Sequence, residues 1–483
     1  LCLIHPDTGR RWGQPLEGRI RARQDHDRLN PETRNEVAPT LRVIPREQHS
    51  ISRKNISKAA LRVLYRLHDA GFAAYLVGGA VRDLLLGGHP KDFDVATNAT
   101  PDEVKGLFRN CRLIGRRFRL AHVVFGPEII EVATFRGTGE DGTGGEGDRH
   151  IVDGRIVRDN IWGTIEEDAV RRDFRVNALY YDISDFSVRD YVGGMQDLED
   201  KTMRLIGDPD QRYREDPVRM LRAARLAAKL GFTIDKEAQA PFATLGHLLG
   251  EAAPARLFDE SLKLFLAGHG LKSFKMLEAC GLLKFLFPAT ARALERGDQA
   301  LRALVEQGLA NTDARIAEGK SVTPAFLYAV LLWGEVRDQA HGWIAQGFDI
   351  NEAWQRAAVH VVGEQCQRVA IPRRFTFTME EIWSLQPRFE QIHRKRVFRL
   401  MSHPRFRAAF DFLLLRAHES DSMRELGEWW AHAQQLPPEM LAAALGGGGV
   451  PVHEPTVSAT APARKRRRRR KPGGRGKGDS GGA

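Results

Sequence analysis

The chain has 483 residues, 42% of them hydrophobic and 28% charged, which excludes a mostly disordered, collagen-like or disulfide-scaffold protein and suits roughly two to four globular domains. The cysteines (Cys2, Cys111, Cys280, Cys366) are far apart without CxxC spacing, no apolar run reaches membrane-spanning length, and the N-terminal segment lacks a secretory apolar stretch, so a reducing, cytoplasmic setting without a Cys-based zinc site is expected. The net charge of +11 is unevenly spread: residues 464–483 hold ten basic groups against one acid, residues 1–57 eleven against seven, and residues 58–463 are left at −2.

Residues 1–50 are polar and Arg-rich, with scattered prolines, and read as a disordered leader. Ser57 is placed to cap a helix whose Leu61, Leu64 and Leu67 form an apolar stripe ended by Gly71. Residues 73–77 predict a buried strand, Gly78-Gly79 interrupts it, and a helix follows over 80–86. DFDVA (92–96) predicts a second strand, and Thr100-Pro101-Asp102-Glu103 opens a helix. Strands over 122–125 and 129–135 meet at Gly126-Pro127. GTGEDGTGGEG (137–147) has six glycines in eleven residues, too many to pack a core, and predicts a mobile loop. Beyond about residue 165 helix dominates, with segments at 217–230, 254–267, 273–283, 323–332, 353–361 and 406–416. From Gly446 the composition turns to Gly, Pro, Ala and then Arg, where order is expected to end.

Asp92 and Asp94 are the sharpest chemical feature. On a strand, residues i and i+2 share a face, so two carboxylates project side by side while Phe93 enters the core. Such a pair repels unless a cation or proton lies between, and Mg²⁺ favours one or two carboxylates plus substrate phosphates. The bland alternative is a pair of edge-strand charges in solvent. Two neighbours favour chemistry. Gly78-Gly79 sits at a strand-to-helix turn, where backbone N–H groups and Arg82 can meet phosphate. Glu131 is an acid within an apolar strand, costly unless paired, bound to metal or facing solvent.

These residues carry a family resemblance. LVGGAVRDLLLG (76–87) and KDFDVAT (91–97), followed in order by RRDFRVNAL (171–179), YVGGMQDL (191–198), RLIGDP (204–209) and REDPVRMLRAARLAAKLGF (214–232), resemble the class II template-independent nucleotidyltransferases, which comprise bacterial poly(A) polymerases and CCA-adding enzymes. The resemblance implies an α+β protein: a small polymerase-beta-like α/β nucleotidyltransferase head over 51–182, neck and base-recognition helices over 183–290, a helical body with an RNA-binding surface over 291–445, and a disordered tail over 446–483. It implies that Asp92 and Asp94 hold Mg²⁺ in a two-metal site, with Glu131 as third carboxylate. Glu166, from the run Glu166-Glu167-Asp168, is the alternative third acid; a helix-start acid run is its bland reading. Gly78, Gly79 and Arg82 would grip the triphosphate of ATP. Arg172, Asp173 and Asn177 would contact ribose and phosphate. Glu215, Asp216 and Arg219, with Arg222 one turn on, would read the base from one helix face. Arg175 stands where relatives often carry Thr.

LIGRRFRLAHVVF (113–125), the extension through 137–163, IPRRF (371–375) and the basic tail resemble the poly(A) polymerase branch. The partners implied are ATP, single-stranded RNA 3′ ends and an RNA chaperone or degradation machinery. Arg394, Lys395 and Arg396 lie in a basic stretch interleaved with Phe389, Phe398 and Phe406. This pattern suits either base stacking on RNA or a core helix with a solvated charged face. Arg464, Lys465 and Arg466 begin an unbroken basic run suited to a flexible phosphate-attracting arm. The expected activity is adenylate transfer to RNA 3′ ends. CCA addition to tRNA and a catalytically silent RNA-binding adaptor are the rivals.

Overall fold

The computed structural model describes residues 40–445 except 116–118, 138–148, 153–154 and 160. Residues 1–39, the glycine-rich loop beyond Gly137, and Arg464, Lys465 and Arg466 with the rest of the tail lie outside the described residues.

The head is built on strands β1 (Arg42–Ile44), β2 (Ala74–Val77), β3 (Asp94–Thr97), β4 (Cys111–Ile114), β5 (Leu120–Phe125) and β6 (Glu128–Thr134), a separate ribbon β7 (Arg149–Val152) and β8 (Arg155–Asp159), and then β9 (Leu179–Asp182) and β10 (Val188–Asp190). Eight of them form one sheet in the order β1-β10-β9-β2-β3-β6-β5-β4. Its pairs are antiparallel except β3 with β6, which run parallel.

The sheet has two apolar faces because side chains alternate along each strand. Ala74, Leu76, Val95, Leu179 and Tyr181 enter the main core, and Tyr75, Val77, Ala96 and Tyr180 form a smaller cluster on the opposite face. Helix α1 (Lys58–Asp69) buries Val63, Leu64 and Leu67 and is capped by Ser57, whose side chain accepts from the Ala60 N–H. The helices α2 (Gly79–Leu85), α3 (Pro101–Leu107), α4 (Ile165–Arg171), α5 (Gly194–Asp200), α6 (Pro209–Glu215) and α7 (Val218–Leu230) follow. Both α3 and α4 begin with a full capping box, Thr100–Glu103 and Thr164–Glu167.

The expected disordered leader is corrected at its end. Residues 42–44 form edge strand β1, in register with β10. Three residues carry too little periodicity to be recognised, and their hydrogen-bonding partner lies more than 140 positions away. The same pairing extends the head sheet to Asp190, past the expected boundary at 182.

The main core continues from the head through α7 into the helical body, where Phe274, Tyr328, Trp333 and Trp383 are fully buried. A second core joins Leu385, Phe389, Phe406, Phe410 and Trp430. The helix expected over 323–332 runs over Pro324–Ala345. Gly334 lies inside it because a Cβ there would stand 2.6 Å from Leu301 Cδ2, so glycine permits the two helices to approach. Among the described residues, no helix is long and apolar enough to cross a membrane.

Candidate active site in the head and neck

Strand β3 begins at Asp94, so Asp92 precedes the ladder rather than standing on it. The alternation nevertheless holds: Asp92 and Asp94 are exposed on either side of buried Phe93. Asp94 is in register with Val77, the residue before the glycine turn, on one side and with Glu131 on the other. Paired residues of neighbouring strands share a face, so Asp94 and Glu131 project together. Asp94 keeps a solvent-facing edge, yet its carboxyl is pushed up to about 6. Burial is the first cause, then the charges of Glu131 and Asp92, against the opposing Arg172.

Glu131 also faces His122 across β5, with Nε2 at 3.4 Å from Oε2. Register sets Glu131 beside Asp94, because β6 runs alongside β3, whereas Glu166 lies in the first turn of α4. Among the described residues, no group of three or more His, Cys, Asp or Glu is closed tightly enough to hold a metal ion by itself. A hard-oxygen donor set of two or three crowded acids suits Mg²⁺, which completes its shell with water and substrate phosphate.

The turn between β2 and α2 needs glycine. Gly78 has φ 76° and ψ −137°, a backbone region closed to side chains. Two guanidinium groups flank this turn. A Cβ on Gly78 would stand 3.6 Å from Arg172 Nη1, and one on Gly79 would stand 3.4 Å from Arg82 Nη2. Arg82 is only 3% exposed. Its Nε and Nη2 donate to Asp83 Oδ1 at 2.8 and 2.6 Å, and its Nη1 donates to Asn177 Oδ1. Arg172 donates through Nε and Nη2 to Asp168 Oδ2, at 3.2 and 2.9 Å, and through Nε to the Tyr180 hydroxyl at 2.9 Å. Burial works against the Asp168 charge, but Arg172, Tyr180 and the Arg136 N–H hold its carboxyl below the usual carboxylate range.

Asn177 Nδ2 donates to Asp173 Oδ1 at 3.3 Å, and Arg222 Nε donates to Asp173 Oδ2 at 2.8 Å, supported by Nη2. The resemblance implies that Asp173 contacts ribose and phosphate. Instead both its oxygens are engaged, one with Arg222 and the other with Asn177 and the Phe174 N–H. These bonds keep its carboxyl low in pKa despite burial.

The base-reading helix face is corrected. Asp216 is the C-cap of α6 with φ −151° and ψ 92°, and α7 begins at Val218. Pro217 lacks an N–H and disfavours helical backbone in the residue before it, so Asp216 and Arg219 stand on opposite sides of a break. Asp216 takes a bidentate pair from Arg256, with Nη1–Oδ1 2.8 Å and Nη2–Oδ2 2.6 Å. Arg219 Nη1 donates to the Arg212 carbonyl at 2.7 Å and to Glu215 Oε2 at 2.9 Å. Arg212 Nη2 in turn holds the carbonyls of Arg171 and Arg172 at 2.9 and 2.6 Å. Sequence reading missed Arg212 and Arg256, for which no local signal exists, and Asp83, which the quoted motif contains.

Arg394, Lys395 and Arg396 are exposed in the first turn of the helix Arg394–Met401, which carries no acid there. That placement opposes the helix dipole, so these charges are not there to stabilise the helix. The buried rings of Phe389 and Phe406 are closed to RNA bases. Phe389 and Phe406 are core residues against Trp430, with ring centroids at 5.0 and 5.8 Å, and Phe398 packs on the same cluster.

Three family models match the chain: the Poly A polymerase head domain over residues 74–204, the Probable RNA and SrmB-binding site of polymerase A over 231–294, and the Polymerase A arginine-rich C-terminus over 346–472. Poly(A) polymerase I of Salmonella typhi is 54% identical over 411 residues, covering 83% of this chain and 88% of that protein. Poly(A) polymerase I of Haemophilus influenzae is 45% identical over 396 residues, covering 81% and 88%. Among solved structures, the Thermotoga maritima CCA-adding enzyme complexed with tRNA superimposes with a TM-score of 0.55 at 19% identity, over 85% of this chain and 91% of that one.

Proposed function

Because the chain belongs to the poly(A) polymerase family, we propose that its Asp92, Asp94 and Glu131 are the catalytic carboxylates of template-independent adenylate addition to RNA 3′ ends. The enzyme is a nucleotidyltransferase that extends RNA with AMP from ATP. The observation that supports this site assignment is Asp94 in register between Val77, at the edge of the glycine turn, and Glu131. It puts the acids beside the place where two arginines and a glycine backbone can receive a triphosphate.

In this reading Gly78 and Gly79 let phosphate oxygens approach the backbone, and Arg82 and Arg172 neutralise them. The RNA 3′-oxygen attacks the α-phosphate in line and pyrophosphate leaves. No protein nucleophile is required, because positioning and charge neutralisation do the work. Asp92 and Asp94 would hold Mg²⁺, which when bound supplies the charge that lowers the pKa of the attacking hydroxyl and offsets the charge of the leaving group. Asp173 and Asn177 orient Arg82 and the neck near the ribose. Asp216, held by Arg256, and Arg219, held by Glu215, read the base, with Arg222 tying that helix to the head.

Arg394, Lys395 and Arg396, and the run beginning Arg464, Lys465 and Arg466, attract the RNA backbone. An RNA chaperone or degradation partner is assigned to the segment 231–294, whose matching family model is described as a binding site for RNA and SrmB. The cytoplasm, where ATP and RNA ends meet, is the assigned location.

Primer extension with each of the four nucleotides and Mg²⁺ tests the reading. Long tails from ATP alone are expected. CTP incorporation onto truncated tRNA would turn the assignment to CCA addition, and RNA binding without pyrophosphate release would turn it to an adaptor.

A further inference from the structure

Six side chains form a closed circuit that begins and ends on the neck helix α7. Arg222 donates to Asp173 Oδ2 at 2.8 Å, and Asp173 Oδ1 accepts from Asn177 Nδ2 at 3.3 Å. Asn177 Oδ1 accepts from Arg82, and Arg82 donates twice to Asp83 Oδ1. Asp83 Oδ2 accepts from Lys229 Nζ at 2.9 Å. Arg222 and Lys229 are seven residues apart, two helical turns, so they lie on one face of α7. That face is turned to the head, since each cation reaches a head acid.

The circuit leaves Arg82 little freedom. Three of its five N–H groups are committed to Asp83 and Asn177, and Nη2 also lies against Gly79 at the glycine turn. Asp83 is divided between two cations, one oxygen on Arg82 and the other on Lys229. Without Lys229, the whole charge of Asp83 falls on Arg82, and the carboxylate loses what fixes its orientation. The guanidinium would then be both better neutralised and less well aimed at an incoming phosphate.

We infer that Asp83 and Lys229 are positioning residues that set the Arg82 guanidinium for ATP by tying it to the neck helix. This rests on the reading of Arg82 as a triphosphate contact. It gives the base-reading helix a direct mechanical link to the triphosphate grip, at the end of α7 opposite Arg219. A surface ion pair with Lys229 40% exposed contributes little to stability by itself, so kinetics rather than unfolding reads the role.

The experiment is steady-state adenylation by the full chain at saturating RNA primer with varied ATP, alongside thermal unfolding. Lys229→Ala is expected to raise KM for ATP roughly two- to fivefold, the size an exposed ion pair can supply, with kcat within about twofold and Tm unchanged. Lys229→Arg restores KM. Asp83→Asn raises KM as well, and adding Lys229→Ala to it produces no further rise, because the two act through one link. Wild-type KM in Lys229→Ala, or effects that multiply in the double variant, overturns the inference. Arg82→Ala separates the two failures. If it leaves KM for ATP unchanged, the triphosphate assignment itself fails. If it raises KM while Lys229→Ala does not, only the positioning role is lost.

Discussion

Asp94 and Glu131 stand opposite each other on neighbouring parallel strands, 37 positions apart in the chain. Burial first, and then the charges of Glu131 and Asp92 against the opposing Arg172, push the Asp94 carboxyl up to about 6, so two acids at that spacing with Asp92 beside them crowd negative charge into one place. A site with surplus negative charge is one prepared for a cation.

Removing the acids should separate chemistry from folding. Asp92→Ala and Asp94→Ala are expected to lower adenylation by at least about a hundred- to a thousand-fold, the scale of losing a transition-state charge contact, with native circular dichroism and a Tm no lower than wild type. Glu131→Gln should cost at least about tenfold in kcat. Glu166→Gln should stay within about twofold, since Glu166 lies outside the cluster. A loss in Glu166→Gln with Glu131→Gln near wild type would return the third-carboxylate assignment to Glu166.

The raised Asp94 carboxyl makes a signed prediction for metal-free protein. A folded pKa of about 6 against an ordinary 3.8 means that ionised Asp94 opposes folding. That penalty is complete above about pH 6 and is relieved as pH falls from 6 towards 4. Asp94→Asn should therefore raise Tm at pH 7.5 in EDTA, and its advantage over wild type should shrink at pH 5. Mg²⁺ must displace a proton below about pH 6, so its stabilisation of wild type should weaken there. A Tm difference independent of pH would contradict the crowded-acid account.

Arg256 reaches Asp216 from another helix through two charge-assisted bonds. Arg256→Ala should free the Asp216 carboxylate and lower the preference for ATP over CTP by roughly tenfold, the low end of what a misplaced hydrogen-bonding group costs. Competition between the two nucleotides on one primer measures it. Unchanged preference would mean that Asp216 does not read the base or does not need Arg256.

The basic stretch and its phenylalanines should now part company. Replacing Arg394, Lys395 and Arg396 together with Ala should weaken RNA binding and reduce the log–log salt slope by up to about two, at unchanged Tm. Phe389→Ala should instead cost about 3–5 kcal/mol of stability, because it empties the centre of the second core. A Phe389→Ala protein that kept its Tm but lost RNA binding would restore the stacking role.

Local patterns were legible from the chain alone. The exposed-buried-exposed alternation around Phe93, the glycine turn at Gly78, the caps at Ser57 and Thr100, and the acids, glycines and arginines of the motifs follow from side-chain period, φ preference and capping chemistry. Each acts over a few residues. Pro217 was also legible as a helix break and marks where the one-face reading of Asp216 and Arg219 goes wrong. What no local pattern contains is the register of β3 with β6, the reach of Arg256 to Asp216 over 40 positions, of Arg222 to Asp173 over 49, and of Lys229 to Asp83 over 146. Those depend on which strands pair and which helix packs on the head, and that is settled by burial of one continuous core rather than by any segment of it. The sequence by itself determined which groups could do the chemistry; the tertiary structure decided which acid stands beside Asp94, which phenylalanines are core, and which cations hold the site to the neck.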